Sequence, residues 1–152
     1  RQLSGPDADA DKWCRLFSEC EKSGLLYALI TGGEPLVHPR FDQIYETIIG
    51  MHILPVINSN GYLIDESRTE MFRQMPPSRM NITLYGTSDD IYGKLCGVSN
   101  GFTRVDKALH LLKNSRINVG INLTIVKTNV CEIDNFVKYA TESSKSYIEQ
   151  LS

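Results

Sequence analysis

The stretch Leu25-Leu26-Tyr27-Ala28-Leu29-Ile30-Thr31-Gly32-Gly33-Glu34-Pro35 decides how this chain folds. An apolar run of strand length passes without a break into two glycines, one carboxylate and a proline, and then into Leu36 and Val37. The run predicts a buried strand over Leu25 to Thr31. Glycine lacks Cβ, so the backbone beyond the strand can take unusual dihedrals and lie close against a ligand. Glu34 offers a fixed anionic acceptor for an ammonium group, and Pro35 ends the ladder. Gly-Gly and Pro are also the punctuation of ordinary loops, so the segment taken alone reads as well as a strand-to-loop turn.

On the N-terminal side, Ser4-Gly5-Pro6-Asp7 predicts a loose start. Trp13, Leu16, Phe17 and Cys20 then fall at helical spacing, with Gly24 placed to stop the helix. On the C-terminal side, Phe41, Ile44, Tyr45, Ile48 and Ile49 repeat that spacing before Gly50. The unit of strand, loop and helix then recurs. Ile53 to Ile57 reads as a strand ending in Asn58-Ser59-Asn60-Gly61, and Asp65 caps a helix that Pro76-Pro77 terminates.

Met80 to Tyr85 reads as a third strand. A long loop containing Gly93, Gly97 and Gly101 is expected before a helix carrying Phe102, Val105, Leu109 and Leu112. The fourth strand is expected from Ile117 to about Val126. A last helix places Ile133, Phe136, Val137 and Ala140 on one face.

Strands alternating with helices of this length make βαβ units, and hence an α/β fold on a parallel sheet with right-handed crossovers. Sites in such folds lie at the carboxyl ends of the strands. Here those ends read Thr31-Gly32-Gly33-Glu34, Asn58-Ser59-Asn60, Gly86-Thr87-Ser88 and Lys127-Thr128-Asn129. Any βα loop needs small polar residues to turn and to cap. A carboxylate directly after two glycines, beside two asparagines on the neighbouring strand, goes beyond that need and favours a ligand site.

Composition narrows the function classes. The 152 residues suit one domain, and 16 basic against 18 acidic side chains leave a net charge of −2 with no basic stripe, which argues against nucleic acid as a partner. No apolar stretch approaches a membrane span and no signal-peptide pattern opens the chain, so a soluble cytoplasmic protein is expected. The four cysteines, Cys14, Cys20, Cys96 and Cys131, include no C-x-x-C pair and indicate neither a zinc site nor a disulfide framework. His38, His52 and His110 have no paired spacing, and Tyr85 and Tyr92 read as aromatics at the edge of the core.

Thr31-Gly32-Gly33-Glu34-Pro35-Leu36, then Asn60-Gly61, then Leu84-Tyr85-Gly86, then Gly97 with Gly101-Phe102 resemble, in order and spacing, the radical S-adenosylmethionine enzymes. The likeness covers roughly residues 12 to 140 and is to the peptide-modifying branch that carries a C-terminal auxiliary cluster domain. It implies a partial parallel (βα)n barrel, about four βα units of that family's (βα)6 three-quarter barrel. It also implies that Thr31, Gly32, Gly33 and Glu34 contact the methionine part of the cosubstrate. Thr83 would face the ribose hydroxyls, Asn58, Ser59 and Asn60 the cosubstrate or substrate, and the fourth strand would lie near the adenine.

The family's reaction needs a C-x3-C-x2-C loop whose three thiolates hold a [4Fe-4S] cluster. The cysteines of this chain do not form one, and no residue is assigned a catalytic or metal-ligating role. The resemblance therefore implies one domain over 1–152 that is the central piece of a longer enzyme of peptide or cofactor maturation. The cluster loop is expected upstream of Arg1 and the last strands beyond Ser152. On this reading the parent uses S-adenosylmethionine and the cluster, and the piece alone holds neither and is inactive. A peptide substrate is a further partner, and open sheet edges predict self-association. Two other readings are a cluster-free binding module on the same scaffold, and an unrelated α/β enzyme with Glu34 as general base.

Overall fold

A computed structural model describes residues 9–115 and 117–148, with side chains described through residue 142. The expected loose start at Ser4-Gly5-Pro6-Asp7 lies outside the described residues.

Helix α1 (Ala10–Lys22) leads into strand β1 (Tyr27–Ile30), and α2 (Phe41–Gly50) into β2 (Leu54–Ser59). Helix α3 (Glu66–Gln74) precedes β3 (Arg79–Leu84). Two helices, α4 (Asp89–Cys96) and α5 (Gly101–Lys113), separate it from β4 (Val119–Leu123), and α6 (Ile133–Ile148) follows. The four strands lie in the order β1-β2-β3-β4, all parallel. A doubly wound sheet reverses its strand order at a switch point, whereas a barrel adds strands in sequence order. The sequential order is that of a partial barrel.

The core lies on one side of this sheet. Ile57, Met80, Ile82 and Leu84 share one face and pack with Tyr45 of α2, Phe72 of α3, Tyr92 of α4, Val105, Leu109 and Leu112 of α5 and Phe136 of α6. Each side chain so buried contributes about 1.5 to 3 kcal/mol. The opposite face carries Tyr27, Leu29, Leu54, Val56, Asn58, Arg79, Asn81, Thr83, Gly120 and Asn122, and no described helix covers it.

Two expectations are corrected by this arrangement. The strand at Leu25 to Ile30 is not buried: Tyr27 is 61% and Leu29 59% exposed. β1 is an edge strand covered on one face only, so Ala28 alone of its residues is buried, in a cluster with Ile48 and Ile53. The expected loop around Gly93 is helix α4. Ser88 caps it by accepting from Ile91 N, acidic Asp89 and Asp90 occupy its first turn, and Gly97 at φ +68° closes it in the left-handed conformation. Cys96 is thus a helix residue, not a loop residue. Along α6, Phe136 is buried while Ile133 and Val137 stay exposed.

Candidate functional site

The carboxyl ends of the strands are stitched together pairwise by side chains. Between β1 and β2 the stitch is Glu34. Its Oε1 accepts from Leu36 N at 3.1 Å and from Ser59 Oγ at 2.9 Å, and its Oε2 accepts from Asn60 N at 2.6 Å. Ser59 Oγ accepts in turn from Gly61 N at 3.0 Å, and Asn60 Oδ1 accepts from Tyr62 N at 2.9 Å. Between β2 and β3 the side-chain link lies further from the strand ends, in mid-sheet, where Asn81 Nδ2 donates to Asn58 Oδ1 at 2.8 Å.

The loops after β3 and β4 are joined by Asn129, which is fully buried. Its Nδ2 donates to Tyr85 O at 2.7 Å and Thr124 O at 2.8 Å, and its Oδ1 accepts from Val126 N at 2.7 Å. Thr87 Oγ1 donates to Glu132 Oε2 at 2.8 Å across the same gap. Hydrogen bonds that fully satisfy buried polar groups hold such a rim in one geometry.

Of the residues expected to form the site, Thr31, Gly32, Gly33, Glu34, Ser59 and Asn60 come together at one corner. Asn58 and Thr83 are on the uncovered face, Asn58 bonded to Asn81 and Thr83 paired in register with Asn122 of β4. The glycine pair divides its work. Gly32 sits at φ +149°, a backbone conformation that disfavours a side chain, whereas Gly33 shows no left-handed φ and a Cβ there would meet nothing within 4 Å. Nothing within the described residues requires glycine at position 33. The backbone carbonyls of Gly32 and Gly33 accept no hydrogen bond from the described residues. Sequence reasoning gave the acceptance of an ammonium group to the Glu34 carboxylate and the local backbone together; among the described residues the two backbone acceptors are unbonded, whereas the carboxylate is engaged by three protein donors.

Beside this corner is a cleft of about 440 Å³ whose walls are largely apolar, with Trp13 and Phe17 of α1, Leu29 of β1 and Ile44 of α2. Behind the ends of β2 and β3 stands an aromatic cluster, in which Tyr92 lies 6.0 Å from Tyr85 and 6.4 Å from Tyr62, ring centre to ring centre. The Tyr92 hydroxyl accepts from Tyr85 N at 3.2 Å. Burial pushes the Tyr62 phenol up to about 12, with Cys96 adding to the rise and Arg104 opposing it. The Arg104 guanidinium carbon lies 4.9 Å from the Tyr62 ring centre, and its Nη2 donates to Tyr62 O at 3.1 Å.

Sequence reasoning missed Asn81 and Asn122, and placed Asn129 at a strand end without giving it a role. Asn81 and Asn122 were legible as polar residues alternating in apolar strands; Asn129 was legible as a strand-end residue, but not its bonds to Tyr85, Thr124 and Val126, which come from two separate loops.

No three or more His, Cys, Asp or Glu side chains converge on a possible metal position among the described residues. Cys14 and Cys20 are half-buried, Cys14 donating to Thr47 Oγ1 at 3.3 Å, and Cys96 and Cys131 are exposed. These thiols do not fit an iron-sulfur cluster.

Residues 5–140 match the Radical SAM superfamily. The AdoMet-dependent heme synthase of Methanosarcina barkeri is 25% identical over 134 residues, covering 87% of this chain and 38% of that protein. The PqqA peptide cyclase of Ruegeria pomeroyi is 20% identical over 143 residues, covering 94% of this chain and 38% of that protein. Streptococcus suis SuiB, solved alone and bound to S-adenosylmethionine, superposes with a TM-score of 0.77 at 22% identity, over 89% of this chain and 31% of SuiB. The chain thus spans well under half the length of the curated proteins it matches.

Proposed function

This chain belongs to the radical SAM superfamily, and from that premise we propose that it is one domain forming the central part of an enzyme core that binds S-adenosylmethionine at the strand ends. The observation that carries the reading is the pair of carbonyls at Gly32 and Gly33, which accept no hydrogen bond from the described residues and stand on the loop held by the Glu34 stitch, beside the open cleft. Those carbonyls would receive the cosubstrate's α-ammonium. Thr83, on the uncovered face, would meet its ribose. Glu34, Ser59 and Asn60 fix the loop that presents the carbonyls.

In this superfamily S-adenosylmethionine bound beside a [4Fe-4S] cluster supplies hydrogen-atom abstraction, and the protein contributes binding, orientation and exclusion of water. The described residues offer no cluster ligands, so the proposal assigns the cluster to a part of the parent protein outside them. Peptide or cofactor maturation is the reaction class proposed for that parent, on the similarity to a peptide cyclase and a heme synthase. A peptide is the substrate class proposed with it. A soluble cytoplasmic protein fits the absence, among the described residues, of any helix long and apolar enough to cross a membrane.

Gly33→Ala tests the reading. The added methyl meets nothing within 4 Å among the described residues, so the melting temperature should hold or rise slightly. Affinity for S-adenosylmethionine, measured by calorimetry on the 152-residue chain, should fall about ten-fold or more, as expected when a ligand is forced off a hydrogen-bonded seat. Equal affinity in both forms would refute the assignment.

The scattered thiols favour a second reading, a cluster-free binding module on the same scaffold. It requires the whole parent protein to stay colourless after anaerobic iron and sulfide reconstitution.

A further inference from the structure

The uncovered sheet face carries a row of polar groups that the strand-end corner does not use. Asn58, Asn81 and Gly120 lie side by side on β2, β3 and β4. Arg79 starts two residues earlier on the same face of β3 and runs its side chain along the strand, where its Nε donates to Asn81 Oδ1 at 2.8 Å. Asn81 Nδ2 donates onward to Asn58 Oδ1 at 2.8 Å.

The guanidinium reaches across β4, over Gly120. A Cβ at that glycine would stand 2.5 Å from Arg79 Nη2, 2.9 Å from Arg79 Nε and 2.6 Å from Asn81 Oδ1. Glycine at position 120 therefore supplies the room in which the guanidinium lies against the sheet.

The row has one polarity. Arg79 has only donors, so its Nε bond turns the oxygen of Asn81 toward itself and the amide NH2 toward Asn58. Among the described residues, what remains unbonded along the row is a set of N–H groups: both Nη of Arg79, and the Nδ2 of Asn58. No carboxylate pairs with Arg79 among the described residues. A guanidinium with its Nε engaged and its two terminal nitrogens free presents the fork that a carboxylate accepts in two parallel bonds. Thr83 and Asn122 stand one step nearer the strand ends on the same face, roughly 6.6 Å along the strand.

We propose that Arg79, held by Asn81 over Gly120, is the recognition group for a carboxylate of the substrate, with Asn58 donating alongside. The substrate class is a peptide bearing an acidic side chain, laid on the bare face below the cosubstrate seat. This rests on the proposed function, since it deepens that reading by naming what the substrate presents.

The test uses side-chain ¹⁵N–¹H signals of the 152-residue chain, those of Arg79 Nε and the Asn58 and Asn81 amides. Acetyl-glutamyl-N-methylamide should move all three saturably, and acetyl-glutaminyl-N-methylamide should bind about ten-fold more weakly or worse. R79Q should abolish the response. Gly120→Ala, whose clash falls on the movable ends of two side chains, should weaken it about ten-fold while keeping a dispersed spectrum, and it carries the test if R79Q does not fold. Equal response to the two amides, or an undiminished response in Gly120→Ala, would overturn the proposal. So would inorganic phosphate that binds more tightly than the glutamyl compound. S-adenosylmethionine is titrated in parallel and read at Gly32 and Gly33. Cosubstrate binding without carboxylate binding sinks this inference alone, and carboxylate binding without cosubstrate binding sinks the proposed function.

Discussion

Glu34 and Gly33 are neighbours in sequence roles but opposites in what they do. The carboxylate expected to face a ligand has three protein donors, one from its own loop and two from the end of β2. Glu34→Gln keeps the size and one acceptor oxygen but turns an NH2 toward a donor, leaving a backbone or hydroxyl group unmet. The expected loss is about 1 to 3 kcal/mol in urea denaturation, with cosubstrate affinity falling in step because the loop is released. Gly33→Ala should separate the two quantities, reducing affinity at unchanged stability. The motif was legible as a motif; the division of labour inside it was not. Ser59 and Asn60 become partners of Glu34 only once β1 and β2 lie side by side, and no local pattern announces a pairing between strand ends.

At the scale of elements, hydrophobic spacing located all four strands and five of the six helices, while α4 was read as loop because three glycines dominate its neighbourhood. The glycines act differently in place. Gly97 ends α4, and Gly101 starts α5 where a Cβ would stand 2.3 Å from Tyr92 Cδ1 and 2.7 Å from its Cγ. The landmark Gly101-Phe102 thus marks a packing contact. Gly101→Ala should cost about 1 to 3 kcal/mol, checked by chemical denaturation, since the buried ring has no room to retreat. Burial also pushes the Tyr45 and Tyr92 phenols above the ordinary tyrosine range, and Tyr45 donates to Met75 O at 2.6 Å. Above the unfolded pKa of about 10 the unfolded chain releases these protons while the fold retains them, so stability is full below that pH and falls as pH rises beyond it. Absorbance at tyrosinate wavelengths should show two tyrosines titrating only together with loss of helical circular dichroism.

For the whole molecule the decisive property is that the described helices cover its sheet on one side only. Sequence reasoning named the fold class but expected β1 to be buried, because an apolar strand looks the same whether its second face meets helices, another strand or solvent. Tyr27, Leu29, Leu54 and Val56 form an apolar end to the uncovered face, next to the polar row of Asn58, Asn81 and Arg79. β1 and β4 each have one side unpaired among the described strands. Unpaired backbone next to exposed apolar side chains favours edge-to-edge association. The isolated chain should therefore sediment as a concentration-dependent mixture of monomer and larger species. Leu29→Lys places a charge on that edge without entering the helix-packed core, and should shift the distribution toward monomer at unchanged helical content. A chain that sediments as a single monomer at all concentrations, with Leu29→Lys behaving identically, would mean that the bare face and open edges do not drive association.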